Sequence, residues 1–324
     1  MTKISVLSEL ITSAPRREFA SVDAAVEFER IKAALNEEAK ENWGDVAWHR
    51  EQAALLIENL DYGFQNDNIF SSYFPTSFVG EFEKIIIRET RGMKVFWTAR
   101  NGQIDESQLS NEEWEFPRET LGWHVSEFED NLVANYADTM ERLITVAKLR
   151  EQTEVNRRIF TVMQAAIPST SPFYEDASAT GLTAAVLNPL ISEVADTPPA
   201  SGGGSILQGV SIVGRAAAID AISGYTGFAP NALEEIRLKG RLGIYRGANI
   251  VRLTNWVDEN GVSFIPANEV FILGGSVGRF VGYGGPKVKQ WTEDATDYTH
   301  FRSRRDVGCA VWHPENARRV KVAA

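Results

Sequence analysis

The sequence predicts an α+β fold in which helices and strands are segregated along the chain. Three observations carry this reading. Helical periodicity fills residues 22–59 and returns over 130–166. Between them, residues 83–128 show apolar–polar alternation of period two. Beyond residue 208, short apolar runs bounded by Gly, Asn and Asp follow one another around a single further helix. A doubly wound nucleotide fold would alternate strand and helix, and this chain does not.

The chain has 324 residues, enough for two domains or one elaborated one. Its 44% hydrophobic and 24% charged content is that of an ordinary globular protein. No apolar run reaches the roughly 18 residues of a membrane span. The N-terminal MTKISVLSELITSAPRREF lacks the continuous apolar core of a signal peptide. A single cysteine, Cys309, excludes an internal disulfide framework and fits a reducing compartment. The net charge of −11 argues against a tightly held nucleic acid, which needs a basic surface. The charge is uneven. Residues 21–62 hold ten acidic and four basic side chains, net −6, whereas 279–324 hold nine basic and five acidic, net +4. Such ends are either solvated faces or complementary surfaces between copies.

Residues 1–20 read as an extended arm. Ser21 caps a helix over Val22–Asn42, with apolar positions Ala25, Phe28, Ile31, Ala34 and Leu35. A second helix is expected over Asp45–Asn59, then a loop over Asp61–Gly80, which is rich in aromatics, Asn, Ser and Pro. A two-stranded ribbon follows, with arms Glu83–Arg100 and Glu112–Phe128. Its period-two patches are Val95, Trp97 and Ala99 on one arm, Trp114 and Phe116, then Trp123 and Val125, on the other. Asn101-Gly102 is a tight-turn dipeptide. An arm of about 15 residues reaches about 50 Å. A lone hairpin is marginal in water, so a ribbon with aromatic faces needs a surface to lie on, and neighbouring copies supply one.

A long helix over Asp130–Ala166 comes next, roughly 54 Å of rod for about 36 residues. Leu132, Tyr136, Met140, Leu143, Ala147, Val155, Ile159 and Met163 form its apolar stripe. The stripe breaks around Glu151 and sustains no heptads, which favours one helix across a sheet over a coiled coil. Residues 169–205 read as a long surface loop holding a short helix, Leu182–Ser192, and the flexible segment PPASGGGS at 198–205. Then come a strand Gln208–Val213, a strand or short helix Ala216–Ile222, a helix Asn231–Leu238, and a turn and strand within 240–255. Asp258-Glu259-Asn260-Gly261 is a hairpin turn between Ile250–Trp256 and Val262–Ile265. Short strands are expected at Glu269–Gly274, Arg279–Val281, Val288–Trp291, His300–Ser303 and Cys309–His313.

No motif for chemistry emerges. GGSVGRFVGYGGP at 274–286 matches neither the phosphate-loop nor the dinucleotide pattern, and its glycines suit tight turns. His49, His124, His300 and His313 show no metal-ligand spacing. Cys309 lies in an apolar run and reads as a buried thiol, although His300 and His313 are near in sequence. Glu112 and Glu113 carry no distinctive environment. No catalytic, cofactor-binding or metal-binding residue is therefore predicted. The ribbon tip is acidic, with Asp105, Glu106, Glu112 and Glu113. It is either solvated or meets basic residues of a neighbour, for which Arg302, Arg304, Arg305, Arg318 and Arg319 are candidates. The candidate assembly-interface residues are Val95, Trp97, Trp114, Phe116, Trp123, Arg302, Arg304 and Arg305.

The order of elements, more than any one motif, resembles the major capsid proteins of tailed bacteriophages, the Hong Kong 97 fold. FEKIIIRETRGMKVFWTA and WEFPRETLGWHVSEFEDNL, within 82–132, look like an E-loop returning into a spine helix. LEEIRLKGRLGIYRGANIVRLTN at 233–255 resembles the helix-turn-strand of an A-domain, and 265–320 resembles a closing P-domain. The resemblance implies 1–80 as N-terminal arm and helices, 81–129 as E-loop ribbon, 130–172 as spine helix, 173–262 as A-domain and 263–324 as the P-domain's C-terminal β segment. It implies a non-enzymatic subunit assembling as pentamers and hexamers into an icosahedral shell around double-stranded DNA. Portal, scaffolding and decoration proteins are the implied partners, the virion its location and the host bacterial cytoplasm its place of assembly. Some members crosslink a ribbon lysine to a P-domain asparagine with a glutamate's help. Lys84, Lys94 and Glu315-Asn316 do not match such a motif position by position, and no crosslink is expected. The chain starts at Met1, and a cleaved leader is not expected; any scaffold would be a separate protein. An encapsulin-type compartment shell and an α+β enzyme stay open as alternatives.

Overall fold

The computed structural model describes residues 22–43, 70–91, 110–197, 209–226, 230–239, 242–253, 265–293 and 297–323, with a few single positions between. The expectations for residues 1–21, for most of 45–59, for Val95, Trp97, Asn101-Gly102 and the tip residues Asp105 and Glu106, and for 198–205 and 258–261 lie outside these.

Helix α1 is Val22–Asn42, as the periodicity predicts. The stretch read as a loop holds a strand, β1, Thr76–Val79. It pairs in parallel with a later strand (Thr76↔Phe280 to Val79↔Tyr283), a long-range pairing that four residues of sequence do not announce. The ribbon is β2, Ile86–Arg91, against β3, Ser110–Glu115, in antiparallel register from Ile86↔Glu115 to Arg91↔Ser110. The second arm does not continue to Phe128 as expected. Pro117, which can donate no ladder bond, separates β3 from β4, Glu119–Phe128, and β4 joins another sheet.

The predicted single long helix is two: α2, Glu129–Ala134, and α3, Tyr136–Ala166, with Asn135 between them at φ −135°, ψ 48°. The stripe holds across the break, for Leu132, Tyr136, Met140, Ala147, Val155, Ile159 and Met163 are buried, whereas Leu143 is half-buried and Ile144 takes the inner place beside it. Next come β5, Tyr174–Ala177, and α4, Ala184–Asp196. After β6, Val210–Arg215, the chain turns helical as α5, Ala216–Ile219, and a 3-10 turn, Asp220–Gly224. Helix α6, Pro230–Lys239, leads to β7, Ile244–Tyr245, and β8, Ala248–Leu253. β9 is Glu269–Gly274. The four short strands expected after it are halves of two long ones, β10, Gly278–Glu293, and β11, Tyr298–Val311. The glycines near 284 make a register shift between Tyr283 and Lys287 and do not end the strand. An unpredicted β12, Ala317–Val322, closes the fold.

Two larger sheets result. The six-stranded sheet has order β5-β12-β9-β6-β8-β7, the four-stranded one β1-β10-β11-β4. The six-stranded sheet is covered on both faces. On one, Ile212, Val270, Ile272 and Val320 pack with Leu187, Ile191 and Val194 of α4 and with Ile219 and Ile222. On the other, Val213, Phe271 and Leu273 pack with Val155, Ile159, Phe160 and Met163 of α3, and with Phe70 and Phe74. β9 is accordingly buried at every residue, as a two-sided core strand must be. The four-stranded sheet is covered on one face by helices: Phe301 packs with Leu132 of α2, with Tyr136, Met140 and Ile144 in the first half of α3, and with Ala39 of α1.

Candidate assembly surface

Burial along the outer half of β10 alternates strictly. Lys287, Lys289, Trp291 and Glu293 are exposed, and Val288, Gln290 and Thr292 lie half-buried between them. The register places Arg304, Arg302, His300 and Tyr298 of β11 opposite these four. The intervening Thr299, Phe301, Ser303 and Arg305 are buried. On β4 the matching positions are Gly122, His124, Ser126 and Phe128. Since paired residues of adjacent antiparallel strands share a face, these side chains form one open surface. It carries four cations, two histidines and three aromatic rings, with Glu293 at its end. Trp291 stacks with His300, and Phe128 meets Tyr298 edge-on at 5.6 Å. Lys287 pairs with Glu81. At the inner end of β11, Asp306 accepts from Arg118 Nε at 3.0 Å and from Thr120 Oγ1 at 2.9 Å. The Arg118 bonds hold its carboxyl below the ordinary range.

The segments leading into and out of the ribbon are seated on the same pair of strands. Phe78, at the end of β1, lies over Gly282 of β10, where an added Cβ would meet its ring at 2.8 Å. Phe116, just after β3, lies over Gly308 of β11, where a Cβ would meet its ring at 2.7 Å and the Pro117 carbonyl closer still. Both seats require glycine because a ring occupies the side-chain position. Within the ribbon, β2 and β3 form a two-stranded sheet of their own.

The helix-covered side is held by polar ties as well as packing. Lys32 of α1 reaches Asp138 and Glu141 at 2.6 Å each. Burial disfavours its charge, yet the bonds to the two carboxylates outweigh that and raise its pKa. Asn36 Oδ1 accepts from the Ala137 N–H at 2.8 Å, so α1 supplies the cap that α3 lacks after the break at Asn135. Buried Glu151, where the apolar stripe is interrupted, accepts from Trp123 Nε1 at 2.7 Å and so ties β4 to α3.

The candidate interface residues are therefore dispersed. Arg302 and Arg304 lie on the open face. Phe116 and Arg305 are instead buried within their own subunit, 4% and 2% exposed. Arg305 is at an odd position of β11, and the pleat turns odd positions under the helices. Trp123, half-buried and bonded to Glu151, faces the same way. Trp114 is in β3 opposite Ile87; its side chain, like Val95 and Trp97, is outside the described residues. Arg318 and Arg319 serve their own subunit, through Glu193 and Glu269. Sequence reasoning missed Lys287, Lys289, Trp291, His124 and His300. The alternation K-V-K-Q-W over 287–291 was the available signal.

Cys309 is buried, and burial raises its pKa to about 12. Asn316, weighed for crosslinking, is buried and donates to the Ser276 carbonyl at 2.9 Å. Among the described residues, no group of three or more His, Cys, Asp and Glu could hold a metal ion, and no helix is long and apolar enough to cross a membrane.

A ribbon, a long helix under a one-sided sheet and a second sheet whose central strands are covered on both faces define the Hong Kong 97 fold. The likeness to solved structures bears this out: the capsid of the cyanophage P-SCSP1u (12% identity, TM-score 0.53, 80% of this chain and 89% of that one), the head of the Helicobacter pylori bacteriophage KHP40 (8%, 0.53, 78% and 88%), and the Mycobacterium phage Adephagia (13%, 0.51, 80% and 91%). The chain belongs to the family described as "SPbeta prophage-derived putative capsid protein YonB", whose model matches residues 25–313. A search of curated proteins returns no match.

Proposed function

We propose that this chain is a major capsid protein whose copies assemble as pentamers and hexamers into an icosahedral shell enclosing double-stranded DNA. The observation that carries this reading is the open face of the four-stranded sheet, set beside a ribbon rooted in the same strands. A subunit that leaves one sheet face open and sets a two-stranded ribbon apart as a sheet of its own completes its burial against copies of itself, and heterologous contacts of that kind close only by symmetry. In this reading 81–129 is the E-loop, with β4 its return into the P-domain sheet; 130–172 and 263–324 make the P-domain, 173–262 the A-domain, and 1–80 the N-terminal arm and helices. The acidic tip of a neighbour's ribbon lies on Arg302, Arg304 and Lys289. The overall negative charge leaves packaged DNA loosely held and ready to exit. Portal, scaffolding and decoration proteins complete the particle, which is built in the host bacterial cytoplasm.

The test is negative-stain microscopy of the purified, concentrated protein. Closed shells of one or a few diameters are expected. A stable monomer whose melting point shifts with a small molecule would instead support the enzyme reading, and a strongly basic inner wall would remove the account of DNA release.

A further inference from the structure

We propose that His124 and His300 together form a binding site for one divalent transition-metal ion, of the zinc, nickel and copper class, on the open face of the four-stranded sheet. The two residues lie 176 positions apart in sequence and meet because β4 and β11 are neighbours, at diagonal positions of the ladder. His124 Nε2 and His300 Nδ1 are 3.2 Å apart. Two imidazole nitrogens bound to zinc at about 2.0–2.1 Å in a tetrahedral arrangement lie about 3.3 Å from each other, so the two nitrogens already stand at the separation one ion requires, and each ring turns to aim its lone pair at an ion seated off the line between them.

Three features support the pair as ligands. Trp291 lies nearly parallel to both rings, at 16° to His300 with centroids 5.0 Å apart and at 19° to His124 with centroids 5.4 Å apart, which limits their rotation. Glu293 Oε2 is 3.5 Å from His300 Nε2, the nitrogen facing away from His124. A carboxylate there favours the tautomer that leaves Nδ1 open to a metal and makes the ring a better donor, an arrangement common around bound metals. Finally, His124 is exposed, so solvent reaches the site and water fills the remaining coordination positions. Arg302 and Lys289 are next along the face and oppose an added cation, which keeps the affinity modest. Binding joins the edge strand β4 to β11 through side chains as well as through the ladder.

Calorimetric titration of the full-length, unassembled protein with zinc chloride, and separately nickel chloride, tests this. One ion per chain is expected. His124→Gln and His300→Gln each lower the affinity at least tenfold and the double variant abolishes binding; Glu293→Gln lowers it about tenfold. His313→Gln, whose ring contacts Glu315, leaves it unchanged. Copper added to wild type gives an electron-resonance signal with two nitrogen donors, and one donor in either single variant. Circular dichroism verifies that each variant is folded. The proposal falls if the folded double variant binds as tightly as wild type, or if wild type takes up neither ion at millimolar metal.

Discussion

The six-stranded and four-stranded sheets differ in what lies on their second face. β9, in the first, is buried at every residue because α3 covers one side and α4 the other. β10, in the second, is buried over most of Gly278–Tyr283 and then alternates from Lys287 to Glu293, where the helices cover one side only. The first sheet is finished within the subunit. The second keeps a face of lysine, arginine, histidine and aromatic rings for something outside it. A substitution in the first should therefore act on stability, and one on the open face of the second should act on association.

The largest effect is expected from Phe271→Ala. Phe271 is wholly buried and meets Phe160 edge-on at 5.0 Å, so truncation should cost about 3–5 kcal/mol in denaturant unfolding. A loss under about 1 kcal/mol would mean that the two-sided sheet is not the stability centre. Lys32→Met should cost about 2 kcal/mol, less than the rupture of a wholly buried pair because Asp138 stays open to water. A raised lysine pKa gives stability that is full below the ordinary value of 10.5 and is lost as pH rises through the folded value. The gap between wild type and this variant should thus narrow only in strong alkali. Glu151→Ala should cost about 1–2 kcal/mol by leaving the Trp123 N–H unpaired beneath β4. Asp306→Asn, at a partly exposed pair with Arg118, should cost under about 1 kcal/mol. Its carboxyl is held low, so that contribution is present above the ordinary value of 3.8 and disappears as pH falls below it. The smallest change in stability, within about 0.5 kcal/mol, is expected from Lys289→Glu with Arg304→Glu on the open face. The same double variant should fail to form shells in microscopy. Normal shells would remove this face from assembly.

Much of this contrast is legible in the sequence. The helix stripe, the strand at 269–274 and the buried thiol follow from periodicity and apolar runs, which are local. What is not local escapes. β1 exists because its four residues pair with a strand some 200 positions later. The end of the ribbon at Pro117 was readable from proline chemistry, but not the sheet to which β4 then turns. Arg302, Arg304 and Arg305 look alike as a basic run, and only the pleat separates two outward side chains from one buried one. Trp123 and Glu151 give no hint of each other until strand and helix are stacked.

The Phe116 ring seated on Gly308, at the foot of β3, makes the β10–β11 hairpin a fulcrum for the ribbon. The described ribbon extends six residues per strand, roughly 20 Å, beyond that seat. A tilt of about 10° at the fulcrum therefore displaces its far end by about 3.5 Å, close to one residue's rise along a strand. Small torsions in the sheet are thereby magnified into whole-residue steps at the ribbon's far end, a mechanical gain that would let one sequence fit the five-fold and six-fold surroundings of the proposed shell.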